Sequence, residues 1–176
     1  MKRKMIMVAA MCIMLTSTAC SQAKKKTLNE TEPKENVSSI DFKLKETEIV
    51  DFDKLASFKL PVIVDYGSDS CIPCKQMAPA LEKLNEEFQG KAFVKFVDVW
   101  KYRNAANNVP VQVIPTQVIF DADGKPFMPS EELQKKIEFT MYQARGSEEI
   151  AFTVHQGGLT YEQMKMILQK WELNDG

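Results

Sequence analysis

The stretch VIVDYGSDSCIPCKQMAP, residues 62–79, decides how the rest of the chain reads. Its first part is a short, nearly continuous apolar run rich in β-branched residues, the pattern of a strand buried on both faces. From Gln76 onward the apolar residues Met77, Leu81, Leu84 and Phe88 fall at helical spacing. Between strand and helix stand Cys71 and Cys74, separated by Ile72 and Pro73. A cysteine at a helix N-terminus meets unpaired backbone N–H groups and the positive end of the helix dipole, and both favour thiolate. Thiolate is the species that attacks a disulfide, and a second cysteine one turn in can attack the resulting mixed disulfide. Pro73 lacks an N–H and suits the first helical turn, where none is needed. The spacing therefore supports a two-step exchange in which Cys71 attacks and Cys74 resolves.

Outward from this stretch, the chain alternates. Residues 49–56 read as a short amphipathic helix, residues 92–98 as a second buried strand and residues 102–108 as another short helix. Residues 116–120 form a third strand, and Asp121-Ala122-Asp123-Gly124 is a turn signal. Ser130 can cap a helix over 130–143, with Gly146 as its stop, and residues 150–155 are a further strand. Gly157-Gly158 breaks that strand, and Thr160 with Gln163 forms a capping box for a last helix ending near Leu173. This order predicts an α/β domain over residues 42–176, with a mixed central sheet flanked by helices.

The front of the chain has a different character. Lys2, Arg3 and Lys4 precede an apolar run from Met5 to Leu15, and small residues follow up to Ala19. That order is the signature of a secretory signal peptide over residues 1–19. Cys20 closes it and resembles the lipidated cysteine of a bacterial lipoprotein. Ser17 stands where such a signal has Leu, Val or Ile, and Ser17 with Ala19 also suits ordinary signal peptidase. An exported cysteine without a partner favours lipidation, with acyl chains holding the domain at a membrane. Residues 20–41 would then be the acylated cysteine and a polar, flexible tether. These features predict an exported protein anchored on the extracytoplasmic side, or a secreted soluble one if Cys20 is not acylated. The formal net charge of −1 offers no basic surplus for nucleic acid.

With Cys12 in the signal and Cys20 acylated, only Cys71 and Cys74 remain in the folded part. A tetrahedral metal site wants four Cys or His ligands, and the domain adds only His155 to its two cysteines. No metal site is expected. A loop as short as Cys-x-x-Cys restrains little unfolded-chain entropy and makes a poor structural staple. Redox exchange is the reading these counts favour, with the cysteine pair itself as the redox centre and no other cofactor; a non-catalytic metal-binding or interaction module is the alternative.

The residues Val64-Asp65-Tyr66, Cys71-Ile72-Pro73-Cys74-Lys75, Met77-Ala78-Pro79, Val94-Lys95-Phe96 and Val113-Ile114-Pro115-Thr116 together resemble the thioredoxin family, and Gly157-Gly158 extends the match. The resemblance covers about residues 48–173 and implies a thioredoxin fold with an inserted helix before the last strand. It implies roles residue by residue. Cys71 would be the nucleophile and Cys74 the resolving thiol. Asp65 would be the buried acid that moves the proton of Cys74, and Lys95 the lysine that pairs with Asp65. A carboxylate in an apolar strand should titrate high, as proton transfer near neutral pH requires. Ile72 and Pro73, with Ile114, Pro115 and Thr116, would meet substrate. The bond before Pro115 would be cis, and the Ile114 backbone would pair with an extended substrate segment.

The chain also departs from the family pattern. Ser70 and Gly67 stand where thioredoxin has tryptophans, and Ile-Pro replaces Gly-Pro between the cysteines. The motif lacks the histidine that marks strong oxidants of the family. On these residues the chain is similar to membrane-tethered reducing thioredoxins, including those serving cytochrome c maturation. Such a protein would act on protein thiols and disulfides and take electrons from an integral-membrane thiol carrier. The same fold also hosts oxidases and isomerases. The segment 127–149 is longer than thioredoxin has here, with Leu133, Ile137 and Met141 at helical spacing. It is either a surface helix packed on the sheet edge or a docking element for a partner.

Overall fold

The structure is a computed structural model and describes residues 40–172. The expected signal peptide, Cys20 and nearly all of the tether lie outside these residues. The described part opens with strand β1 (Lys45–Glu46) and helix α1 (Phe52–Ser57), followed by β2 (Val62–Gly67) and α2 (Ile72–Glu87). Next come β3 (Phe93–Asp98), a 3-10 turn (Arg103–Ala106), β4 (Thr116–Phe120) and α3 (Glu131–Gln134). Strands β5 (Thr140–Gln143) and β6 (Ile150–Gln156) and helix α4 (Tyr161–Glu172) complete the order.

The six strands form one sheet in the order β1-β3-β2-β4-β6-β5. β1, β3 and β2 run parallel, whereas β4, β6 and β5 pair antiparallel. Every residue of β2 is buried, which is why its sequence is a run and not an alternation. Its side chains divide by the two-residue period of a strand. Ile63 packs with Val94, Ile119, the α2 residues Met77, Leu81 and Leu84, and the α4 residues Met164, Ile167 and Leu168. Val62, Val64 and Tyr66 face the other way, toward Phe93, Val97, Val118 and the α1 side. Helices thus cover both faces. Ile40 packs against the second cluster, and the Asp41 carbonyl accepts a hydrogen bond from Lys95, so the packed domain begins slightly before residue 42.

Capping chemistry sets several ends. Asp51 accepts from the Lys54 N–H at 3.0 Å, so α1 starts later than the apolar spacing from Ile49 suggests. Thr160 and Gln163 cap α4 reciprocally, Gln163 N–H to Thr160 Oγ1 at 3.2 Å and Thr160 N–H to Gln163 Oε1 at 2.9 Å.

One expectation needs correcting. The helix expected over 130–143 is a single turn, α3, capped by Ser130. Thr140–Gln143 is instead an edge strand, pairing Met141 with Thr153 and Tyr142 with Phe152. Leu133 and Ile137 do share a face, but that face ends in the α2/α4 core. Beyond it, Phe139-Thr140-Met141-Tyr142 is aromatic and β-branched, and β6 offers an edge of unpaired backbone groups that a strand satisfies. The turn between the two strands places Gly146 at φ 78°, so this glycine belongs to a hairpin and not to a helix stop.

Candidate active site

Strand β2 ends at Gly67, and four residues later Cys71 caps α2. The loop between is held by Asp98 at the end of β3. Its Oδ2 accepts from the Asp69 N–H at 3.0 Å, and its Oδ1 from the Trp100 and Lys101 N–H groups, each at 3.0 Å. Burial pushes the Asp98 carboxyl up, but these N–H donors together hold it below the usual range. The loop leading into the helix is thus tied to a carboxylate that stays charged.

Cys71 and Cys74 are joined as a disulfide, with Cα atoms 5.2 Å apart. The Cys74 N–H points at Cys71 Sγ at 3.4 Å, the N-cap bond that would serve a thiolate in the reduced state. Both cysteines are buried, whereas Ile72 between them is 71% exposed. Facing Cys71 is the loop before β4. The Ile114 carbonyl lies 3.9 Å from Cys71 Sγ, and the Ile114–Pro115 bond is cis. Thr116 Oγ1 donates to the Val113 carbonyl at 2.7 Å, and the Gly157 N–H to the Pro115 carbonyl at 2.8 Å. These two bonds fix the loop from within and from the residue that follows β6. The structure therefore brings Cys71, Cys74, Ile72, Pro73, Ile114, Pro115 and Thr116 to one end of the sheet.

Asp65 lies beneath the pair, on the β2 face that packs against α2. It is 1% exposed, and burial pushes its carboxyl up to about 7, with a hydrogen bond from Gln117 opposing the rise. Gly67 adjoins both acid and sulfur. A Cβ at that position would stand 3.2 Å from Asp65 Oδ2 and 3.3 Å from Cys74 Sγ. The two groups therefore border the same gap, which exists because this residue has no side chain.

Lys95 is not the partner of Asp65. It pairs in register with Val64, while Asp65 pairs with Phe96, so the lysine projects from the opposite face of the sheet. There its Nζ donates to Glu46 Oε1 at 2.6 Å and to the carbonyls of Asp41 and Lys43 at 2.8 and 2.7 Å. It clasps the N-terminal segment to the sheet. The residue that does touch Asp65 is Gln117, whose Nε2 donates to Oδ1 at 2.7 Å. Sequence reasoning missed it. The available signal was a long polar residue in the otherwise apolar run Val118-Ile119-Phe120, one step after the Pro115-Thr116 pair. His155 stands across from Gln117 on β6, and its Nδ1 lies 2.7 Å from the Glu138 carbonyl.

A model of the thioredoxin family matches residues 43–142. Chloroplastic thioredoxin Y of Oryza sativa subsp. japonica is 29% identical over 137 residues, which is 74% of each chain. Thioredoxin of Staphylococcus saprophyticus is 38% identical over 82 residues, 43% of this chain and 78% of that one. Among solved structures, a point mutant of a thioredoxin from Halobacterium salinarum NRC-1 superposes with a TM-score of 0.49 at 22% identity, covering 73% of this chain and 88% of that one. With its disulfide seated at a strand-to-helix junction, this chain belongs to the thioredoxin family and is a thiol–disulfide oxidoreductase.

Proposed function

We propose that the protein reduces disulfides of extracytoplasmic proteins while tethered to a membrane through acylated Cys20. The observation that carries the chemical part is the Cys71–Cys74 disulfide at the α2 N-terminus, opposite the Ile114–Pro115 loop and above a buried Asp65. In the reduced protein, Cys71 thiolate attacks one sulfur of a substrate disulfide. That bond breaks, and the departing substrate sulfur leaves as thiolate and takes a proton. Cys74 then loses its proton to Asp65 and attacks Cys71 Sγ. The mixed disulfide breaks, and the second substrate thiol is released. Two electrons have passed from the Cys71–Cys74 dithiol to the substrate. An apolar substrate strand would lie on Ile72 and along the Ile114 backbone.

The place and direction of the reaction rest on sequence features. The charged, apolar and small-residue order before Cys20 supports export and acylation. A reductant outside the cytoplasm needs an electron supply, and an integral-membrane thiol carrier facing the tethered domain meets that need. Pro73 and a motif without histidine favour the reducing direction. Thiol supply for cytochrome c maturation is a task of this kind.

Equilibration of the domain in glutathione buffers tests the direction. A potential near about −270 mV supports a reductant, and one near about −120 mV makes the protein an oxidant. Cys71→Ser abolishes turnover with insulin under this reading, and unchanged turnover in that variant contradicts it.

A further inference from the structure

Asp65 and Gln117 are direct cross-strand partners in the antiparallel pairing of β2 and β4. Partners on one face bring their Cβ atoms to about 5 Å, and here a 2.7 Å hydrogen bond joins the side chains. Gln117 is wholly buried on a face otherwise built from Ile63, Val94 and Ile119. Its amide is poorly served there. Nε2 has a second, weak acceptor in Met77 Sδ at 3.6 Å, and Oε1 has no hydrogen-bond partner among the described residues. Burying an amide on these terms is unfavourable, and an apolar side chain would fill the place at less cost. The glutamine's one strong bond is the one to Asp65.

That bond separates the two oxygens of the carboxyl. Oδ1 is occupied, and Oδ2 is buried without a hydrogen-bond partner among the described residues. Oδ2 is also the oxygen that borders the gap at Gly67, a gap that Cys74 Sγ borders too. We propose that Gln117 is a positioning residue for proton transfer: by holding Oδ1 it turns Oδ2 toward Cys74, so that Oδ2 alone receives the thiol proton. This rests on the reading of Asp65 as proton acceptor given above. In the step, the Cys74 S–H bond breaks and an O–H bond forms at Oδ2. No electrons are exchanged until the resulting thiolate attacks Cys71 Sγ, and the proton afterwards returns to solvent. The same N–H favours the charged carboxyl and so offsets part of the effect of burial.

The surroundings leave Gln117 alone in this role. From α2, Cys74 Sγ borders the same gap as Asp65, and Met77 Sδ meets Gln117; from β3, Phe96 pairs with Asp65, with Val94 on the same face; from β4, Gln117 does. Lys95 points away to Glu46, and His155 lies one strand farther out, against the Glu138 carbonyl. Of the described residues facing Asp65, Cys74 is the one that titrates.

The test uses Gln117→Met, which keeps the volume and removes the N–H, with Gln117→Asn as a second variant whose amide is one methylene too short. Two quantities are read: the pH midpoint of the Asp65 carboxyl by NMR, and the single-turnover release of a model thiol from a mixed disulfide on Cys71. Both variants should raise the Asp65 midpoint by about one pH unit, the size expected for a lost hydrogen bond to a charged group. Release should slow about fivefold near neutral pH, as less of the carboxyl is ionised, and its pH midpoint should shift with that of Asp65. In an Asp65→Asn background the Gln117 substitution should change release less than about twofold. A folded variant in which the Asp65 midpoint does not move overturns the inference. So does an equal slowing by Gln117→Met with and without Asp65. If Asp65→Asn alone leaves release unchanged, it is the reading of Asp65 that fails.

Discussion

Two buried charges stand on neighbouring strands of the same sheet, and the structure treats them in opposite ways. Lys95 and Asp65 are each 1% exposed. Lys95 has a carboxylate and two carbonyls on its three protons. Asp65 has one amide on one oxygen and, among the described residues, no hydrogen-bond donor on the other. A buried group with every bond made is part of the framework. A buried carboxyl left half-satisfied, and pushed up to about 7 beside a sulfur, is ready to exchange a proton near neutral pH. The difference sets Lys95 in the framework and makes Asp65 the candidate for the chemistry, although both residues look equally out of place in their strands.

The two residues should have opposite effects on stability. Asp65 has its folded value raised from 3.8 to about 7, so its contribution favours folding below 3.8 and is lost as pH rises through about 7. Asp65→Asn should therefore stabilise the oxidised protein above about pH 8, by up to about 4 kcal/mol, and give no gain in acid. Denaturant unfolding at a series of pH values measures this, and a gain independent of pH contradicts it. Lys95→Met should do the reverse. It leaves Glu46 and two carbonyls without their donor and should destabilise by about 3 kcal/mol, while insulin reduction by the remaining folded protein is unchanged. A Lys95→Met protein of native stability but altered turnover would return the lysine to the site. The smallest expected effect lies at the gap. Gly67→Ala would set a methyl 3.0 Å from Phe96 Cε2 and close to both Asp65 Oδ2 and Cys74 Sγ. It should cost about 1 kcal/mol of stability by overpacking and slow release of the mixed disulfide more than it slows the first attack by Cys71. Equal slowing of both steps would remove the gap from the account.

The pair of charges also marks how far the sequence could be read. The buried run of β2, the Cys71–Cys74 spacing and the Ile114-Pro115-Thr116 loop carry their meaning locally, and they predict the thioredoxin fold and the place of the disulfide. Lys95 carried no such local meaning. Which face it takes depends on the register of β3 against β2, and a slip of one residue reverses the face. Val94-Lys95-Phe96 matches the family by string, yet it is Phe96 that stands beside Asp65. Gln117 was hidden for the same reason, since its value lies in the residue across from it. The 130–143 helix failed where a short periodic pattern met an open strand edge. Leu133 and Ile137 kept the spacing, and pairing with β6 decided the rest.

Release of substrate from the Cys71 mixed disulfide, followed against pH in the parent protein, Asp65→Asn and Lys95→Met, separates the roles of the two buried residues. The parent and Lys95→Met should share a rise in rate centred at about 7, where Asp65 ionises, and Asp65→Asn should lack it. A rise that survives in Asp65→Asn, or vanishes in Lys95→Met, would contradict the assignment of Asp65 to the chemistry and Lys95 to the framework.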